Sequence, residues 1–88
     1  MVNNRRSEME IIAEILTLTQ NGAKKTEILY KGYLSYNQLN KYINFLIEKD
    51  ILSEKNVQNN GSSSKFYFVT NRGNEFLKDI NKILAYFK

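Results

Sequence analysis

Ser35, Tyr36, Asn37, Gln38, Lys41 and Asn44, all able to hydrogen-bond, fall within ten residues of this chain. If the segment is helical, Asn37, Gln38, Lys41, Asn44 and Glu48 gather on one side, opposite an apolar stripe of Leu39, Ile43, Leu46 and Ile47. An amide can bond bidentately to adenine N6 and N7, and the major groove of B-DNA admits one α-helix. The chemistry on offer is therefore the reading of a nucleic-acid duplex. An ordinary solvated helix carries similar residues, so the flanking elements must decide between the two readings.

Those elements favour a helix-turn-helix. A short helix is predicted from about Lys24 to Gly32, carrying Ile28 and Leu29 inward, followed by the turn Lys31-Gly32-Tyr33-Leu34. Ser35 with Gln38 three residues on is a capping box that opens the next helix, predicted over 35–49. Ile51-Leu52 and Phe66-Tyr67-Phe68-Val69 are runs of strand formers. The intervening stretch Val57 to Ser64 is uncharged and polar, and is expected to be a mobile hairpin tip. Lys55 and Lys65 flank this wing and are candidate phosphate contacts, as are Lys24 and Lys25 at the helix-turn-helix entrance.

Two further helices bracket this unit. Ser7 and Glu10 form a capping box for a first helix predicted over 7–21, with Met9, Ile12, Ile15 and Leu16 along one stripe and Asn21-Gly22 at its end. Thr70 is the expected N-cap of a last helix, in which Phe76, Leu77, Ile80, Ile83, Leu84 and Phe87 recur at helical spacing. So many large apolar residues exceed what one small core covers. Phe76, Ile80, Ile83, Leu84 and Phe87 are accordingly the candidate interface of a homodimer. The expected order is helix, helix, helix, strand, strand, helix: a mainly α fold with a small β-hairpin (α+β), a winged helix-turn-helix. One domain spans 1–88, with a body over 7–69 and the dimerising helix over 70–88.

Composition narrows the function. Eighty-eight residues with 42% hydrophobic content support one modest core. The chain has no histidine and no cysteine, which removes the usual zinc ligands, disulfides and the commonest general base. Carboxylate pairs such as Glu10 and Glu14, or Glu75 and Asp79, are common on solvated helices, and no nucleophile or phosphate-loop motif accompanies them. A non-enzymatic protein without cofactor or metal is expected. No apolar run is long enough for a signal peptide or membrane span, so a cytoplasmic, nucleoid-associated location is expected. The net charge of +4 suits a polyanionic partner. Arg5 and Arg6 ahead of the first helix read either as an arm for that partner or as a solubilising terminus.

Arg6 to Ile12, Lys25-Thr26-Glu27-Ile28-Leu29-Tyr30, Leu34-Ser35-Tyr36, Lys41-Tyr42-Ile43 and Val69 to Leu77 together give the chain a family likeness. It resembles the small archaeal winged-helix proteins, in particular the basic ten-kilodalton "a" DNA-binding group of Sulfolobus-like archaea and related archaeal transcriptional regulators. The resemblance covers nearly the whole chain. It implies a dimer joined through the last helix, binding double-stranded DNA with the third helix and the wing. Two departures stand out, a last helix that stops at Lys88 and a more polar wing tip. A transcriptional regulator is the leading expectation; a nucleoid-architectural protein and a winged-helix protein-interaction module without DNA binding are the alternatives.

Overall fold

The computed structural model describes residues 6–87, so Arg5 of the expected basic arm lies outside the described residues. Along the chain come α1 (Glu8–Leu18), β1 (Ala23–Lys24), α2 (Lys25–Gly32), α3 (Tyr36–Glu48), β2 (Leu52–Asn59), β3 (Ser62–Val69) and α4 (Asn71–Ala85). The three strands form one antiparallel sheet in the order β1-β3-β2. This is the winged helix-turn-helix arrangement, mainly helical with a hairpin wing.

Capping fixes the helix starts where the sequence placed them. Ser7 Oγ accepts from the Glu10 amide at 3.1 Å while Glu10 Oε1 accepts from the Ser7 amide at 2.9 Å. Ser35 and Gln38 make the same reciprocal pair, both bonds at 3.1 Å. Each pair satisfies two amides that a helix start leaves free. The helix ends differ more. α1 stops at Leu18, short of Asn21, because Thr19 turns inward: its hydroxyl donates to Ile15 O at 2.9 Å and its carbonyl accepts from Gly22 N and Val69 N. The chain then enters β1, an element the sequence did not announce, pairing Ala23 with Tyr67 and Lys24 with Phe66.

The core lies between the helices and the inner face of the sheet. Ile15, Leu16, Ile28, Leu39, Ile43, Leu46, Leu52 and Ile80 are fully buried, joined by Tyr67 from β3. Ile80 corrects an expectation. It is only 2% exposed within the single chain and so leaves the set of candidate dimer contacts. α1 packs along α4, and Ile80 belongs to the shared core. Phe76, Leu77 and Leu84 are half-buried against the same core, whereas Ile83 and Phe87 stand 43% and 80% exposed.

The wing is the second correction. Residues 57–64 are not a loose tip. The β2–β3 ladder runs unbroken from Leu52↔Val69 to Asn59↔Ser62 and closes through Asn60-Gly61. Both turn residues have positive φ, 54° and 84°, the geometry of a two-residue hairpin turn that matches the twist of its strands. Backbone pairing and the Asn-Gly turn thus override the weak strand propensity of the serines and amides. Gly22, also at positive φ, lies under the Phe68 ring, 2.5 Å from where a Cβ would stand.

α4 is locked to the α3–β2 junction. The Thr70 amide donates to Ile51 O at 3.0 Å, its hydroxyl proton is shared between Asp50 O and Ile51 O, and its oxygen accepts from Gly73 N at 2.9 Å.

Candidate nucleic-acid interface

Leu39, Ile43 and Leu46 anchor α3 in the core and thereby set which side faces out. Ser35, Tyr36, Asn37, Gln38, Lys41 and Asn44 are all exposed, as sequence reasoning placed them. The electrostatic setting is cleaner than the motif alone suggested. From Ile28 to Ile47 the chain has no carboxylate but has Lys31 and Lys41, so the turn and the first three turns of α3 carry no negative charge, and exposed Glu48 stands only at the helix's far end. Glu27, just before this stretch, accepts from the Lys24 amide at 3.1 Å.

The four lysines proposed for the backbone separate into different roles. Lys25 is half-buried, with Nζ 2.7 Å from Asn40 Oδ1 and over the rings of Tyr36 and Tyr67 at 5.6 and 6.0 Å. It ties α2, α3 and the sheet together and fixes how α3 is presented. Lys24 is exposed and lies over Phe66 at 5.7 Å. Phe66 pairs with Lys24 on one side and Lys55 on the other, which puts both lysines on the sheet face turned away from Tyr67. Lys55 Nζ sits 5.3 Å over Phe68. Lys65 pairs with Asn56 and therefore projects from the opposite face, 3.8 Å from Glu54. That ion pair is solvent-exposed and contributes little stability, so Lys65 can exchange it for another anion.

Lys24 and Lys55 thus form one cationic patch, and Lys65 stands apart from it. Strand register decides this, and the sequence alternation Phe66-Tyr67-Phe68 held the signal: Tyr67 inward forces Phe66 and Phe68 outward. The two rings lie with centroids 6.5 Å apart on the outer face, which the sequence reading left unassigned.

Beside α3 a cleft of about 550 Å3 is lined by Glu8, Ile12, Gln38, Lys41, Tyr42, Phe45 and Phe76. Burial and the nearby Glu8 carboxylate push the Tyr42 phenol above its ordinary pKa, so it remains a neutral donor through the neutral range. A second cleft of about 460 Å3 separates the start of α1 from Leu84 and Phe87. Among the described residues no group of acidic side chains could hold a metal ion, and no helix is long and apolar enough to cross a membrane.

Fold and exposed face together define a winged-helix scaffold whose third helix is open for contact. The chain belongs to the winged helix-turn-helix family, whose profile matches residues 5–88. It is 37% identical over 51 residues to an uncharacterised protein of Methanocaldococcus jannaschii, a match spanning 57% of this chain and about half, 53%, of that protein. Among solved structures it is similar to Sso10a-2, a DNA-binding protein from Sulfolobus solfataricus, at TM-score 0.76 and 25% identity, covering 91% of this chain and 80% of that one. It is also similar to a PadR family transcription regulator from Clostridium difficile, at TM-score 0.78 and 18% identity, covering 88% of each chain. The archaeal winged-helix resemblance seen in the sequence is therefore sustained at the level of fold and family.

Proposed function

We propose that this chain is a double-stranded DNA-binding protein acting as a transcriptional regulator. α3 enters the major groove, and the β2–β3 wing lies along the phosphate backbone. The observation that carries this reading is the outer side of α3: exposed amide side chains and Lys41, with no carboxylate before Glu48 at the helix's last position, on a helix locked from beneath by Leu39, Ile43 and Leu46. Asn37, Gln38, Lys41 and Asn44 reach base edges, Ser35 and Tyr36 reach phosphate, and Lys24, Lys55 and Lys65 add backbone contacts. Lys25 acts mainly by holding α3 in place. The names of the Sulfolobus and Clostridium neighbours, a DNA-binding protein and a transcription regulator, agree with this reading. The amide-rich face favours a specific regulator over an architectural protein, and an A·T-leaning site.

Selection of sites from random duplexes followed by a salt titration tests the proposal. Each phosphate contact should add about −0.9 to the slope of log affinity against log salt. A salt-independent interaction, or none, would point instead to a protein-interaction module. Shortening the wing by removing Gln58, Asn59, Ser62 and Ser63 keeps Asn60-Gly61 and the ladder register. All four residues are exposed, so stability should change by less than about 0.5 kcal/mol while duplex affinity falls roughly tenfold. A shortened wing that melts early yet binds normally would remove the wing from the interface.

The protein acts as a homodimer through α4. Ile83, Tyr86 and Phe87 are exposed, Phe76 and Leu84 are half-buried beside them, and the cleft at Leu84 and Phe87 continues this apolar surface onto α1. Two protomers related by a two-fold axis would present their α3 helices to successive major grooves, matching a palindromic site. Sedimentation should give a two-protomer mass at micromolar concentration, and Phe87→Glu should give a folded monomer. A wild-type monomer under those conditions would exclude this interface.

A further inference from the structure

Tyr33 is the C-cap of α2 and adopts the left-handed conformation, φ 54° and ψ 47°. Glycine is the usual residue there, since a side chain in that conformation is strained. Gly32, one position earlier, is inside the helix, so the glycine of this turn does not relieve the strain. The Tyr33 ring is 89% exposed, and no packing within the chain compensates for it. Tyr30, one helical turn earlier, is 86% exposed, and Tyr36 at the start of α3 is 59% exposed. Three of the six tyrosines in the sequence thus stand around one turn, within the carboxylate-free stretch from Ile28 to Ile47.

A strained, solvent-facing aromatic beside a recognition helix is a poor choice for stability and a useful one for contact. A phenol donates one hydrogen bond, carries no charge, and presents a flat apolar body to a sugar ring. In helix-turn-helix docking the helix ahead of the recognition helix crosses the DNA backbone, and α2 with its C-cap occupies that position here. We infer that Tyr30 and Tyr33 are contacts to the sugar–phosphate backbone of duplex DNA, each phenolic O–H donating to a phosphate oxygen. The inference rests on the DNA-binding reading above and extends it to the turn.

The test uses the full chain and a fluorescein-labelled duplex of mixed sequence, read by anisotropy across a salt series. Tyr33→Gly should raise the melting temperature by a few degrees while weakening binding about tenfold, so loss of fold cannot explain the loss of affinity. Tyr30→Phe and Tyr33→Phe remove only the hydroxyls. Each should weaken binding about three- to tenfold at every salt concentration without changing the slope, because a phenol displaces no counterion. Lys41→Ala, by contrast, should reduce the slope by about one per protomer bound.

If all three tyrosine variants bind within about twofold of wild type while Lys41→Ala is impaired, the tyrosine contacts are overturned and the DNA reading stands. Failure of the wild-type chain to bind any duplex overturns both. If Tyr33→Gly lowers the sedimenting mass, the aromatic surface belongs to a protein contact and the inference also fails.

Discussion

Gly73→Ala should destabilise the protein by about 2–3 kcal/mol and lower its melting temperature by roughly 10–20 °C. A Cβ at this position would lie 2.2 Å from the carbonyl oxygen of Ile51 and 2.7 Å from a methyl of Val69. The oxygen cannot yield cheaply. It accepts from both the amide and the hydroxyl of Thr70, at 3.0 Å each, and the Ile51 amide in turn donates to Leu46 O at 2.8 Å. A methyl group must therefore push the first turn of α4 away from the α3–β2 junction, weakening hydrogen bonds of about 1 kcal/mol each on top of the overpacking cost. The gain of about 1 kcal/mol in helix propensity does not offset this. Gly32→Ala is the control. Its nearest neighbour would be Leu34 at 3.5 Å, ordinary contact, so that variant should be neutral or up to about 1 kcal/mol more stable. Urea melts of the two variants side by side decide the matter. Gly73→Ala melting with wild type would mean that α4 is not seated as described.

The Thr70-x-x-Gly73 spacing is an instance of what a sequence can and cannot convey. The N-cap was readable because capping is local: Thr70, like Ser7 and Ser35, satisfies amides within its own next turn. The requirement for glycine was not, since it arises from a carbonyl more than twenty residues away in sequence that tertiary packing brings against the helix. The same division runs through the candidate site. The exposed row on α3 followed from helical period alone, and the structure places Asn37, Gln38, Lys41 and Asn44 together on the surface. The lysines did not sort so easily. Whether Lys55 and Lys65 share a face depends on strand register, and Lys25 was claimed by Asn40, a partner fifteen residues on. β1 is two residues long, too short for any periodic signal, and exists because β3 offers it an edge. The wing tip looked loose because its side chains bury nothing. What orders it is backbone pairing and the turn geometry of Asn60-Gly61, where the Asn-Gly dipeptide was the available cue. Ile80 and Ile83 show the limit of a stripe: both fit the seam spacing, yet the fold buries one and leaves the other 43% exposed.

Asn37→Ala combined with Lys41→Ala should reduce affinity for a selected duplex at least about 100-fold, with no measurable loss of stability. Both residues are exposed, and neither appears among the chain's internal hydrogen bonds or ion pairs described above, so the folded state should change by less than about 0.5 kcal/mol. Positions four apart on a helix bring their side chains within about 5–6 Å of each other, enough to address neighbouring base pairs from one groove. An amide bonded bidentately to adenine contributes about 1–3 kcal/mol of discrimination, and a lysine on a phosphate or guanine adds affinity of similar size. The single variants separate these contributions. Asn37→Ala should leave the salt slope intact and flatten the preference at one base position, because an amide releases no counterion. Lys41→Ala, which removes a charge as well as a base contact, should weaken every sequence, the selected one most, and reduce the slope by about one per half-site. In a two-fold symmetric complex each loss is incurred at both half-sites, so the double variant should approach the affinity of non-specific binding. A double variant that keeps its affinity and sequence preference would show that α3 is not the element that reads the duplex. Binding would then have to reside in the wing patch of Lys24 and Lys55, where deletion of the tip would have the larger effect.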